Sequence, residues 1–252
     1  MYKRQTLKDG TRIFTLLTIL LGVTIGVNAQ ITSGRVVYER RTNLQKLYGN
    51  MEQMKRFINE DNKIKKEQFE LLFNDTASAF LPIEDPNAEK SWMSWMTQKN
   101  KTYQNFNTSE QITELDMFGQ QLFVGETIDP KKWKVTESKR YISNYHCRKA
   151  MYEKNDTTRI YAWFAVELTP SIGPEGISGL PGTILGLATE DGGIVYFAKE
   201  VEVLEPKKEQ LSYDLGKNEK YSRESLAKEI MERMGGRGGK WAGSMMDNLF
   251  RW

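Results

Sequence analysis

The sequence predicts a mainly β protein of the α+β class, an antiparallel curved sheet or open half-barrel with an N-terminal amphipathic helix and a C-terminal helix. Three observations predict it. Seven short runs rich in β-branched and aromatic residues follow one another between Glu110 and Val203. Turn signals such as Asp129-Pro130, Asn155-Asp156 and Asp191-Gly192-Gly193 separate them, and no helix-length connector intervenes. Strands joined this tightly must pair antiparallel, because a parallel pair needs a crossover of about a dozen residues or more. A composition of 39% hydrophobic and 11% aromatic residues suffices for a core, and 27% charged residues implies a well-solvated surface.

The elements follow in chain order. Residues 1–29 read as a signal peptide: Lys3, Arg4, Lys8 and Arg12 precede the apolar run Ile13 to Val27, and Ala29 supplies a small residue at the cleavage spacing. That run of about fifteen residues falls short of the roughly twenty a membrane-spanning helix needs. The expectation is a periplasmic or secreted protein beginning near Gln30, with no membrane span. Without residues 1–29 the chain carries 32 basic and 32 acidic residues, so a basic platform for nucleic acid is not expected.

Residues 30–204 are expected to form a single antiparallel β-rich domain. Arg35 to Arg41 begins it as a strand. A helix is predicted over about 43–60, where Leu44, Leu47, Met51, Met54 and Ile58 recur at three- and four-residue spacing and share one face. Gln68 to Phe73 and Ala77 to Leu81 predict a hairpin turning at Asn74-Asp75. Residues 84–107 show no period and are predicted to be an irregular excursion. The seven strand-like runs then cover Thr113–Met117, Gln121–Thr127, Trp133–Ile142, His146–Glu153, Arg159–Leu168, Thr183–Thr189 and Ile194–Val203. Residues 205–252 form a charged C-terminal part: a helix from Ser222 to Met234, stopped by Gly235-Gly236, and a Gly-rich tail whose end is apolar.

The residues that chemistry would need are sparse. His146 is the single histidine and Cys147 the single cysteine, and neighbours in a strand point to opposite faces, which argues against a direct dyad. Structural zinc needs about four Cys or His ligands, and one cysteine makes no internal disulfide. The Gly235 to Lys240 stretch lacks the glycine spacing of a phosphate loop. Glu84, Asp85, Glu190 and Asp191 sit beside turn residues, where carboxylates are solvated. The expectation is therefore a protein that is not an enzyme. Soft thioethers suit Cu(I), so the pairs Met51/Met54 and Met93/Met96 are candidate copper ligands, Met93 and Met96 within Trp92-Met-Ser-Trp-Met96 above all; a helical Met stripe is equally at home in a core. Copper is the only cofactor raised. A carrier of a lipophilic ligand is a further alternative, with Tyr161, Trp163 and Phe164 lining a sheet hollow.

Ser171 to Gly182 holds four glycines and two prolines between two strands, stiff at proline and permissive at glycine. Within and after it, Gly179-Leu-Pro-Gly-Thr-Ile-Leu185 resembles the signature of the GLPGLI family of secreted Bacteroidota-type proteins. Asp116-Met-Phe-Gly119, Gln121, Trp133, Asn144 to Ala150, Trp163, Gly173-Pro174, Glu205-Pro-Lys-Lys208 and the Ser-Arg-Glu helix follow the same pattern in order, with Thr183 standing where the namesake motif has Leu. The resemblance covers nearly all of the chain after residue 29. It implies a non-enzymatic binding or accessory protein of the periplasm, found beside TonB-dependent receptors and associated with outer-membrane transport through an outer-membrane or periplasmic protein partner. The candidate contact residues are Gly173, Pro174, Gly179, Leu180, Pro181 and Gly182 in the loop, with Trp241 and Trp252 in the tail. A purely structural corner between two strands is the other role open to the loop.

Overall fold

A computed structural model describes residues 30–84, 97–117, 119–155, 158–233, 243 and 246–252. The predicted signal peptide, the Trp/Met pentad and Trp241 lie outside them.

The described chain is mostly β, one large open sheet of twelve strands with few helices. β1 (Gly34–Asn43), β2 (Ile64–Phe73), β3 (Ala77–Ile83), β4 (Lys101–Asn105), β5 (Glu110–Met117) and β6 (Gln120–Thr127) form one antiparallel meander. β7 (Lys134–Ile142), β8 (Tyr145–Asn155), β9 (Thr158–Ala165), β10 (Thr183–Thr189) and β11 (Ile194–Glu202) form another. Pairing of β1 with β11 fuses the two, and β12 (Lys220–Tyr221) adds in parallel on β6. β6 and β7 are consecutive in the chain yet ten strand spacings apart in the sheet. The connector 128–133 reaches about 25 Å at full extension, against roughly 48 Å for ten spacings laid flat.

The seven strand runs and the first hairpin appear where the sequence predicts them. Two other expectations change. The helix over 43–60 is two short ones, α1 (Leu44–Tyr48) and α2 (Glu52–Lys55). Gly49 closes α1 by donating its N–H to Gln45 O at 2.8 Å, and Met51 is extended at φ −95°, ψ 104°. The predicted apolar face survives only in part: Met54 and Ile58 pack on Leu44 together with Tyr48, whereas Met51 is exposed. The excursion over 84–107 ends in β4, whose inward positions are the buried polar residues Thr102 and Gln104, so no apolar alternation announces it. The C-terminal helix forms where the sequence predicts it and packs on the sheet. Helix α3 (Arg223–Arg233), capped by Ser222 Oγ accepting from Ser225 N at 3.1 Å, buries Leu226 and Ile230 against Leu115, Met117, Leu122 and Val124 of β5 and β6. Leu249 joins the same cluster. Among the described residues no helix is long and apolar enough to cross a membrane.

The main core lies on one face of the sheet: Val36, Tyr38, Phe69, Leu71, Phe73, Phe80, Phe164, Leu187 and Tyr196. The stacked pair Phe69 and Phe80, with ring centres 5.1 Å apart, receives the edges of Tyr38 and Tyr196.

Candidate functional site at the Gly-Pro loop

The period of two places charge on the core face. In β1 the residues Val36, Tyr38, Arg40 and Thr42 share that face, and all are buried. In β2 it is shared by Glu67, Phe69, Leu71 and Phe73. Register sets Arg40 opposite Glu67 on one side and Tyr196 on the other. Arg40 Nη2 and Nε donate to Glu67 Oε2 at 2.6 and 3.2 Å, Nη1 donates to the Tyr196 hydroxyl at 3.3 Å, and the guanidinium lies 4.6 Å over the Phe69 ring. Glu67 also accepts from Thr97 at 2.8 Å and pairs with Lys65 at 3.2 Å.

A second carboxylate descends from above. Glu175 lies in the 3-10 turn Pro174–Gly176 of the Gly-Pro loop at φ 57°, an αL conformation uncommon for a residue other than glycine. It accepts a short hydrogen bond from the Tyr196 hydroxyl, and its Oε1 lies 3.6 Å from Arg40 Nη1. Burial opposes charge on both carboxylates, with opposite net results. For Glu67 the attraction of Arg40 and Lys65 outweighs burial and holds the carboxyl below its ordinary range. For Glu175 burial prevails over Arg40 and the Tyr196 hydrogen bond and lifts the carboxyl. Paired acids with pKa values driven apart suit acid–base work. Here both acids pair with Arg40, and the cluster clamps the loop to the sheet.

The rest of the loop is anchored in the same way. Ile172, Ile177 and Leu180 are buried in the main core. Gln104 donates to Gly176 O at 2.8 Å; Lys131 N and Trp133 Nε1 donate to Ser178 O at 3.1 and 2.9 Å; Tyr38 donates to Ile184 O at 2.7 Å. The loop thus crosses the sheet face from β9 and β10 to β4 and the β6–β7 connector. Two of its glycines are compulsory. At φ 104° a Cβ on Gly179 would stand 2.4 Å from Lys131 O, and at φ 145° one on Gly182 would stand 2.2 Å from Ala165 O.

The predicted contact residues therefore divide. Gly173, Pro174, Leu180 and Gly182 are buried, and Gly179 and Pro181 are exposed. Trp252 is half-buried with its ring 6.0 Å from Tyr196, lining the clefts that Glu175 also lines, so the loop and the end of the tail meet. Trp241, Met93 and Met96 lie outside the described residues. Met51 is exposed whereas Met54 packs on Leu44. Among the described residues no group of three or more His, Cys, Asp or Glu is arranged to hold a metal. Tyr161, Trp163 and Phe164 do not share a face: Phe164 is in the core, while Trp163 and Tyr161 lie under Arg140 and Lys149 at 4.1 and 4.2 Å. Cys147 is buried, which pushes its thiol up to about 12, and His146 stacks edge-on with exposed Tyr141. Glu84 pairs with Lys99, Glu190 with Arg159, and Asp191 accepts from Thr189 and Gly193; Asp85 is outside the described residues.

Beside the loop, at one end of the sheet, opens a cleft of about 430 Å³. Thr169, Pro170, Ser171 and Ser178 of the loop form one wall. Thr32 before β1, Asp75 in the β2–β3 turn, Phe106 and Ser109 in the β4–β5 turn, and Ile128 and Pro130 after β6 form the other. This volume is in the range of small-molecule and peptide sites. Sequence reasoning singled out the Gly-Pro loop but missed the cleft, because its other wall comes from segments far apart in the chain, each unremarkable alone.

No family model matches this chain, and no curated protein matches it in sequence. Two solved structures of PNGF-II, in space groups P21 and C2, are similar in fold, each at 13% identity, with TM-scores of 0.54 and 0.55. The similarity covers 79% of this chain and 33% and 32% of those chains. The chain thus spans about a third of the length of the PNGF-II structures. An uncharacterized conserved protein of Thermus thermophilus aligns at 8% identity over 82% of this chain and 99% of that one, with a TM-score of 0.41.

Proposed function

We propose that this is a non-enzymatic periplasmic binding or accessory protein of the GLPGLI type, serving an outer-membrane transport system, and that it engages its partner at the cleft beside the Gly-Pro loop. The single observation carrying the proposal is that cleft. It is open and mixed in character, with hydroxyls, one carboxylate, a phenyl ring and prolines converging from separate turns on a clamped wall. In this reading the sheet is curved into an open half-barrel, which lets a six-residue connector join β6 to β7, and the loop is the filling of its hollow. A filled, bonded loop gives the cleft a preorganised wall, and preorganisation lowers the entropic cost of binding.

The test is a photo-reactive side chain placed at exposed Thr32 on the cleft rim, with one at exposed Lys66 on the opposite face of β2 as control. Irradiated cell envelopes should give an adduct with an outer-membrane transport protein from position 32 and none from position 66. Equal adducts from both positions, or none from either, would refute the proposal.

A further inference from the structure

A second, smaller cleft of about 50 Å³ lies at the other flank of the loop, between β1 and the closing segment 246–252. Its lining includes Arg40, Thr42, Glu175, Arg251 and Trp252. Two of its polar atoms are buried without a hydrogen-bond partner: the hydroxyl of Thr42, a residue 1% exposed, and Nε of Arg251. A buried donor left unmade costs about 1–3 kcal/mol, and more when it is charged, so two at one cleft call for an occupant.

Charge says what kind. Arg251 donates through Nη2 to Asn248, but among the described residues no carboxylate pairs with it within 4 Å. The groups whose field reaches it are Tyr48, which also lines the cleft, and Asp191, Asp247 and Glu175. Asp191 is held by Thr189 and Gly193, and Glu175 by Arg40 and Tyr196. Arg40 is likewise committed to Glu67 and Glu175. Among the described residues the partly buried guanidinium has no carboxylate within 4 Å, and its Nε–H and the Thr42 hydroxyl belong to residues that line one cleft and lack a hydrogen-bond partner. The small volume, little more than that of one or two waters, limits the group that enters.

We infer that Thr42 and Arg251 hold a small monovalent anion, a chloride ion or the carboxylate end of a ligand, between β1 and the closing segment. The anion neutralises Arg251 and pins residues 246–252, with Trp252, against Tyr196. It does so independently of the large cleft, so this inference stands or falls separately from the proposed function.

The test uses the purified protein at fixed ionic strength in isethionate, whose sulfonate and tail exceed the cleft. Chloride and formate are titrated in separately while thermal unfolding is followed. The expected result is a rise that grows with the logarithm of anion concentration and reaches about 3–5 °C at ten times the dissociation constant, abolished in Arg251→Gln and in Thr42→Val and retained in Lys55→Gln, which removes an exposed cation elsewhere. A response to chloride identifies a structural counter-ion, and a stronger response to formate identifies the carboxylate of a larger ligand. A rise that isethionate reproduces, or that both variants keep, overturns the inference. Should the variants fail to fold, crystals of the unaltered protein grown in bromide decide it: an anomalous peak between Thr42 and Arg251 is expected, and an empty cleft refutes the site.

Discussion

Replacing Arg40 with Met probes how the loop is held. The change preserves much of the side-chain volume over Phe69 while removing two hydrogen bonds to Glu67, one to Tyr196 and the ion pair to Glu175. Arg40 and Glu67 are only 6% and 7% exposed, so the acids left behind cannot be rescued by water. Breaking such a pair from one side costs about 3–5 kcal/mol. Glu67 keeps Lys65 and Thr97, and Glu175 keeps Tyr196, which places the expected loss at the lower end, about 3 kcal/mol, or roughly 6–12 °C in Tm for a domain of this size. Urea unfolding followed by tryptophan fluorescence measures it. The triple variant Arg40→Met/Glu67→Gln/Glu175→Gln removes the stranded charges and is expected to recover to within about 1 kcal/mol of the parent. A single variant that loses less than about 1 kcal/mol, or a triple variant no better than the single, would refute the clamp.

The same structure makes further predictions. Gly179→Ala must fit a Cβ 2.4 Å from Lys131 O at φ 104°, whereas Gly216→Ala at φ 55° meets nothing within 4 Å; calorimetry should find the first costing more than about 2 kcal/mol and the second about 1, and equal costs would contradict the close packing of the loop on the connector. The two buried acids give opposite pH signatures. Glu67 is held below its ordinary range, so its stabilisation is present above the unfolded carboxylate pKa and is lost as pH falls, a loss that Glu67→Gln should remove. Glu175 is raised, so its contribution is full below the unfolded value and is lost as pH rises through its folded pKa; urea midpoints of Glu175→Gln relative to the parent should therefore improve on going from about pH 4 to pH 8. A ratio that does not move with pH would show that Glu175 is not desolvated.

Much of the sheet is legible from the sequence because its strands alternate and its turns are marked by Asn, Asp, Gly and Pro. What escapes is instructive. β4 hides because its inward residues, Thr102 and Gln104, are polar and serve the loop rather than an apolar core. β12 is only two residues long. The helix over 43–60 keeps part of its apolar face but not its continuity, since Gly49 ends one turn and Met51 restarts another. At the site, the Gly-Pro loop stands out by composition, yet the residue that fastens it, Glu175, looks like any loop acid. A signal did exist: Arg40 falls in phase with Val36 and Tyr38, and Glu67 in phase with Phe69 and Leu71, which puts opposite charges on a buried face. The large cleft left no such trace, because the proximity of segments distant in the chain is a property of strand order, which alternation does not encode.

The large cleft is the proposed partner surface, and filling it tests that proposal most directly. Thr32→Trp/Pro130→Trp changes two exposed rim residues and touches neither the core nor the clamp. Co-purification of the proposed outer-membrane partner should fall at least tenfold in this variant, with unchanged unfolding, and should be unaffected by Lys66→Trp on the opposite face of β2. Retention of the partner by a folded, cleft-filled protein would contradict the account.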